Sequence, residues 1–168
     1  MKKSFTLIEL IFVIVIIGLL ASVAVPKFMQ TKASASSSSV KSVISSLRTA
    51  IETKHGEWMI NDDLDTSDGY TPQGYPQKLD NASPNTAGEN LFAGTSTLSI
   101  LKNPIKSCLD NNCWYKYKAD DTDGNISYYA YKFTPDSNIT LDYNGSNGKI
   151  ECNSDGSMSK NECESIIN

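Results

Sequence analysis

Apolar residues run almost without a break from Phe5 to Val25 in the opening stretch MKKSFTLIELIFVIVIIGLLASVAVPKF. As a helix these 21 residues would be about 31 Å long, the thickness of bilayer hydrocarbon. Further on the pattern changes character. Val40, Val43, Ile44, Leu47 and Ile51 recur at steps of three and four, a helical stripe, with Lys41, Ser42, Ser45, Arg48, Thr49 and Glu52 opposite. Lys54 and His55 followed by Gly56 read as a helix end. The pattern predicts one long helix from Phe5 to His55, its first half lipid-facing and its second half lying across a core. Ser34 to Ser39 holds five serines and one alanine, which weakens helicity between the halves. A flexible linker there is the alternative reading.

Residues 57–107 are turn-rich, punctuated by Pro72, Pro76, Pro84 and Pro104. They open with Glu57, Asp62, Asp63, Asp65 and Asp68, a solvated acidic surface. From Trp114 the period becomes two: Tyr115, Tyr117 and Ala119 alternate with Trp114, Lys116 and Lys118. Asp123-Gly124 marks a turn before Ile126–Phe133. Ile139, Leu141 and Tyr143 then alternate with Asn138, Thr140 and Asp142, and Asn144-Gly145 and Asn147-Gly148 turn into Lys149–Cys152. This predicts an antiparallel meander of three or four strands covering the Val40–Ile51 stripe. The fold class is α+β. Residues 153–168 read as a tail.

The chain has 168 residues and a net charge of −4. Without Lys2, Lys3 and Glu9, 13 basic and 18 acidic side chains remain, so the region after the apolar segment carries −5. That balance argues against broad nucleic-acid affinity, which rests on neutralising phosphates. A single histidine, His55, leaves little for imidazole catalysis or a multi-histidine metal site. The four cysteines are Cys108, Cys113, Cys152 and Cys163. After an export-type segment, two disulfides are the expectation. Of the three pairings, Cys108–Cys113 and Cys152–Cys163 are favoured because each closes a local loop. The gaps between these cysteines are poor spacing for zinc.

Glu9 poses the functional question. An ionised acid at the bilayer centre costs roughly 2.5–3.5 kcal/mol on insertion scales, and such residues are functional by default. Neither a cleavable secretory signal ending near Ser22-Val23-Ala24 nor a plain membrane anchor uses it. A cut between Ser4 and Phe5 does. It would create a positive amine one helical turn before Glu9, able to meet the acid within one chain or the acid of a staggered neighbour. A buried charge without its partner is costly, so such pairing would fix axial register.

Lys2-Lys3-Ser4, then Phe5-Thr6-Leu7-Ile8-Glu9, then an apolar run ending at Pro26, resembles the class III signal of the type IV pilin and type II secretion pseudopilin superfamily. The resemblance implies cleavage by a prepilin peptidase after Ser4, N-methylation of Phe5, an assembly salt bridge at Glu9 and a helix kink at Pro26. Glycine is usual before the cut, so Ser4 is a departure. A pilin-like fold is implied, with a long N-terminal helix on an antiparallel sheet. The division would be 1–4 leader, 5–26 transmembrane and assembly helix, 27–56 amphipathic second half, 57–107 variable connection, and 108–168 sheet and disulfide-bonded region. So is a place in the bacterial inner membrane, single-pass with a periplasmic C-terminal domain and a filament after assembly. Its partners would be like subunits, in a homo-oligomer or mixed filament, the peptidase and an inner-membrane assembly platform.

Other signals are weaker. Asp121, Asp123 and Asn125 alternate as calcium ligands do, and the major pseudopilins that the chain resembles hold calcium in such a loop. A plain hairpin turn is the favoured reading of them, and no other cofactor is implied. Asp123–Ser127, Asp136–Thr140 and Asp142–Ser146 share an acceptor pattern for bacterial N-glycosylation. No nucleophile–base–orienter set and no phosphate loop is present, so the expectation is a structural protein rather than an enzyme. The competing class is a membrane-anchored periplasmic module binding DNA or glycan through Lys102, Lys106, Lys116, Lys118, Lys132 and tyrosines. A minor competence pseudopilin is a further alternative.

Overall fold

The computed structural model describes residues 6–61 and 64–168. Helix α1 spans Leu7–Ile60, with Pro26 inside it. The chain divides into two compact units, one ending at Ser36 and one running Ser37–Asn168. In the first, the helix carries the apolar run. In the second, Val40, Ile44, Leu47 and Ile51 are buried, and Val43 packs partly against them.

The serine run stays helical, as do the residues on either side of it, so the predicted continuous helix is present in place of a flexible linker. One expectation for α1 needs correcting. Gly56 does not end the helix, which continues to Ile60. Beyond Gly56, Trp58 packs on the core and Lys54 pairs with Glu57 at 2.7 Å, so tertiary contact outweighs the glycine's weak propensity.

The main sheet has four antiparallel strands in the order β3-β4-β5-β6: β3 Cys113–Lys118, β4 Ile126–Thr134, β5 Ser137–Asn144 and β6 Lys149–Cys152. The predicted meander is therefore present. Its inner face carries Trp114, Tyr129, Tyr131, Ile139, Leu141, Tyr143 and Ile150. Phe92, Trp114, Tyr129 and Tyr131 form edge-on and tilted ring contacts at 4.7–5.7 Å. Lys116, alternating with Trp114, also faces inward and is buried.

The region between helix and sheet contributes much of this core. Tyr70, Leu79, Leu91, Phe92, Leu98 and Ile100 are buried, and β1 Asn90–Leu91 pairs with β2 Ile105–Lys106. The tail is also more ordered than its composition suggests. Helix α2, Lys160–Ile167, begins at a capping box in which Ser159 and Glu162 satisfy each other's backbone N–H groups. Its last turn meets α1: Lys41 Nζ donates to the Asn168 carbonyl at 2.7 Å and Arg48 to that of Ile167 at 3.1 Å. Cations there oppose the negative end of the helix dipole.

Candidate functional site

The N-terminal segment starts its helix by a local device. The Thr6 N–H donates to Glu9 Oε2 at 2.9 Å, and the Thr6 hydroxyl donates to the same oxygen at 2.7 Å. In return the Glu9 N–H points at Thr6 Oγ1, 3.4 Å away. This is a capping box, which satisfies two N–H groups that a helix start leaves unpaired. Glu9 thus stands in the first turn, where the helix dipole favours negative charge. Ser4 and Phe5, the positions expected to be cleaved and methylated, lie outside the described residues.

From Leu7 to Met29 every large apolar side chain is exposed, between 40% and 77%. The helix is long and apolar enough to cross a membrane, and none of its most apolar window is buried. Two of its hydroxyls are satisfied within the helix. Ser22 Oγ donates to the Leu19 carbonyl at 2.7 Å and Thr31 Oγ1 to that of Lys27 at 3.0 Å. Pro26 brings no N–H to the Ser22 carbonyl one turn back, a local weakness in the ladder. A continuous apolar surface of this extent demands a partner, either lipid or other protein.

Residues 1–25 match the prokaryotic N-terminal methylation motif. The matched residues include both Glu9 and the apolar run to Val25. Among similar proteins, the type IV major fimbrial protein FimA of Dichelobacter nodosus is 47% identical over 53 residues, 32% of this chain and 34% of that protein. The type IV major pilin protein PilA of Myxococcus xanthus (strain DK1622) is 35% identical over 72 residues, 43% of this chain and 33% of that protein. The chain spans about a third of the length of the curated relatives it matches. No solved structure matches it significantly. With its long apolar helix and antiparallel sheet, the chain is pilin-like in motif and in fold class.

The cysteines pair locally, Cys108 with Cys113 and Cys152 with Cys163. The first closes a tight loop before β3; the second ties β6 to α2 and is buried. Asp121 Oδ1 accepts the Ile126 N–H at 2.9 Å, and the Gly124 N–H reaches the Asp121 carbonyl at 2.9 Å, so this acid shapes a hairpin turn. Among the described residues no group of three or more His, Cys, Asp or Glu is placed to hold a metal ion.

Four of the five lysines named for a binding module make contacts within the chain. Lys116 is buried in an ion pair, which corrects its reading as a binding group. Lys106 Nζ donates to the Gly88 carbonyl, Lys132 Nζ to that of Leu109, and Lys118 lies 4.5 Å from the Tyr128 ring centre. Sequence reasoning missed the capping partner of Glu9, although Thr6-x-x-Glu9 is its signature. It also missed Asp80, the buried partner of Lys116, for which nothing local gave a signal.

Proposed function

We propose that the chain is a structural subunit of a type IV filament, trimmed between Ser4 and Phe5, methylated at Phe5 and polymerised through α1. The observation that carries this reading is the exposed apolar first half of α1, which begins at a helix-capping carboxylate, Glu9, within a methylation motif. Before assembly the apolar face would sit in the inner membrane, with Lys2 and Lys3 holding the cytoplasmic end. In the filament the same face would pack against neighbouring helices. The amine created at Phe5 would meet Glu9 of an adjacent subunit, in place of or beside the Thr6 donors. A prepilin peptidase and an inner-membrane platform would process and extract the subunit, and the sheet unit, periplasmic beforehand, would form the outer surface.

The names of the relatives favour a pilus over a secretion pseudopilus. The mass of the mature chain tests the reading. A start at Phe5 carrying one methyl group supports it. A start after Ala24, or retention of Met1, rejects it in favour of ordinary secretion or an inert anchor.

A further inference from the structure

At the four-stranded sheet a buried lysine meets one buried and one half-buried acid. Lys116 Nζ lies 3.5 Å from Asp80 Oδ1 and 2.6 Å from Asp120 Oδ1. The side chains of Lys116 and Asp80 are 2% and 0% exposed. Desolvating charges of this kind costs several kcal/mol per ion, and a buried ion pair is weak evidence of net stability. The arrangement has more to it than a pair. Asp80 Oδ2 accepts the Phe92 N–H at 2.9 Å and the Tyr129 hydroxyl at 2.9 Å. Phe92 holds its N–H there from a left-handed conformation, φ 60°, which a bulky side chain rarely adopts. Such strained positions cluster at sites where geometry serves chemistry.

We propose that Lys116 and Asp80 are joined by an intramolecular amide bond between Nζ and Cγ, with Asp120 as the proton-transferring group. The nitrogen contacts the carboxyl through Oδ1, which also accepts the Ala82 N–H at 3.1 Å, while two donors converge on Oδ2, where negative charge gathers when Cγ becomes tetrahedral. Asp120 touches the same nitrogen and can carry its proton.

The step needs no other reactant. The Lys116 ammonium passes one proton to Asp80 Oδ1, leaving a neutral amine and a neutral acid. The nitrogen lone pair attacks Cγ, the new C–N bond forms, and the carbonyl π pair moves onto Oδ2 under the Phe92 and Tyr129 donors. Asp120 takes a proton from nitrogen and delivers it to Oδ1. The Cγ–Oδ1 bond breaks with its electron pair, water leaves, and the Oδ2 carbonyl re-forms. Ammonium and carboxylate become amide and water, and Asp120 is regenerated. The product replaces two buried charges by one neutral group and fastens the segment between α1 and the sheet to β3.

Fragmentation of the purified full-length chain, reduced, unfolded and digested, tests this. The expected result is one branched peptide containing both Asp80 and Lys116, lighter than the sum of its parts by one water and uncut by trypsin after Lys116. Separate Asp80 and Lys116 peptides at full mass overturn the proposal, as does a bond from Lys116 to Asp120. The water loss alone is not the criterion, because a succinimide at Asp80 would leave the two peptides apart and count against the bond. Asp120→Asn is expected to slow linkage by about 10²–10⁴-fold, followed as the linked fraction over time after expression. Unchanged linkage in that variant removes Asp120 from the mechanism.

Discussion

Thr6 and Glu9 close the first turn of α1 on each other, with the carboxylate taking both the N–H and the hydroxyl of the threonine. Glu9 therefore has two separable properties: an acceptor that caps the helix and a charge that can seek an amine. Glutamine serves in a capping box as glutamate does. Glu9→Gln should keep the first turn protected from amide exchange and yet leave subunits in the membrane unassembled. Thr6→Ala should cost about 1 kcal/mol of capping, seen as roughly fivefold faster exchange at the start of α1. Normal filaments from Glu9→Gln would show that the acid's charge has no part in assembly.

Gly74 sits at φ 82°, and a Cβ there would lie 2.2 Å from Cε3 of Trp58. The loop and the end of α1 fit only because this position has no side chain. Gly74→Ala combines a left-handed strain with a ring clash and should destabilise the sheet unit by about 2–4 kcal/mol. Adding Trp58→Ala removes the clash but not the strain. The loss in the double variant, read by denaturant unfolding, should therefore be smaller than the sum of the two single losses.

The elements with a regular period were legible in the sequence: the Val40–Ile51 stripe and the strands around Trp114, Ile126, Ile139 and Ile150 all appear where alternation placed them. What periodicity could not show is which set faces inward. Lys116 is buried and Tyr115 is not, because the lysine finds Asp80, 36 positions earlier in the chain. Irregular segments escaped for the same reason. Leu79, Phe92 and Ile100 lie among turn residues with no period to mark them, yet they are buried. Helix α2 was readable after all, from Ser159-x-x-Glu162, although residues 153–168 read only as a tail. The methylation motif was legible because it is a contiguous run of side chains, whereas the buried ion cluster is assembled only by folding.

The two disulfides should differ in what they contribute. Cys152–Cys163 spans 11 residues and Cys108–Cys113 spans 5. On the chain-entropy argument their removal costs about 3 and about 2 kcal/mol respectively. The burial of Cys152 and Cys163 widens that gap, because their replacement also disturbs packing between β6 and α2. Paired Cys→Ser variants compared by denaturant unfolding test the order. A larger loss from the Cys108/Cys113 variant would contradict it.

Asp142 and Glu162 should respond to acid with opposite signs. Burial pushes the Asp142 carboxyl up from its ordinary value, helped by the negative charges of Asp155 and Glu151; the Asn153 amide and Lys118 only partly oppose this. A raised value in the folded state means that folding favours the protonated form. The stability it contributes is present below the unfolded value and is lost as pH rises through the folded one. Ionised Asp142 is therefore a cost at neutral pH. Asp142→Asn, which keeps a carbonyl facing the Asn153 amide, should raise the melting temperature at pH 7, with the gain fading as pH falls into the carboxylate range. Glu162 is held below its ordinary value by the Ser159 hydroxyl and then by the Ser159 N–H. Its contribution is present above the unfolded value and is lost as pH falls through the folded one. Glu162→Ala should thus lower the melting temperature at pH 7, with the loss fading in acid. Melting curves of both variants from pH 3 to pH 7 check this, and a stabilising effect of Asp142→Asn that persisted unchanged at the acid end would show that its cause is not the charge.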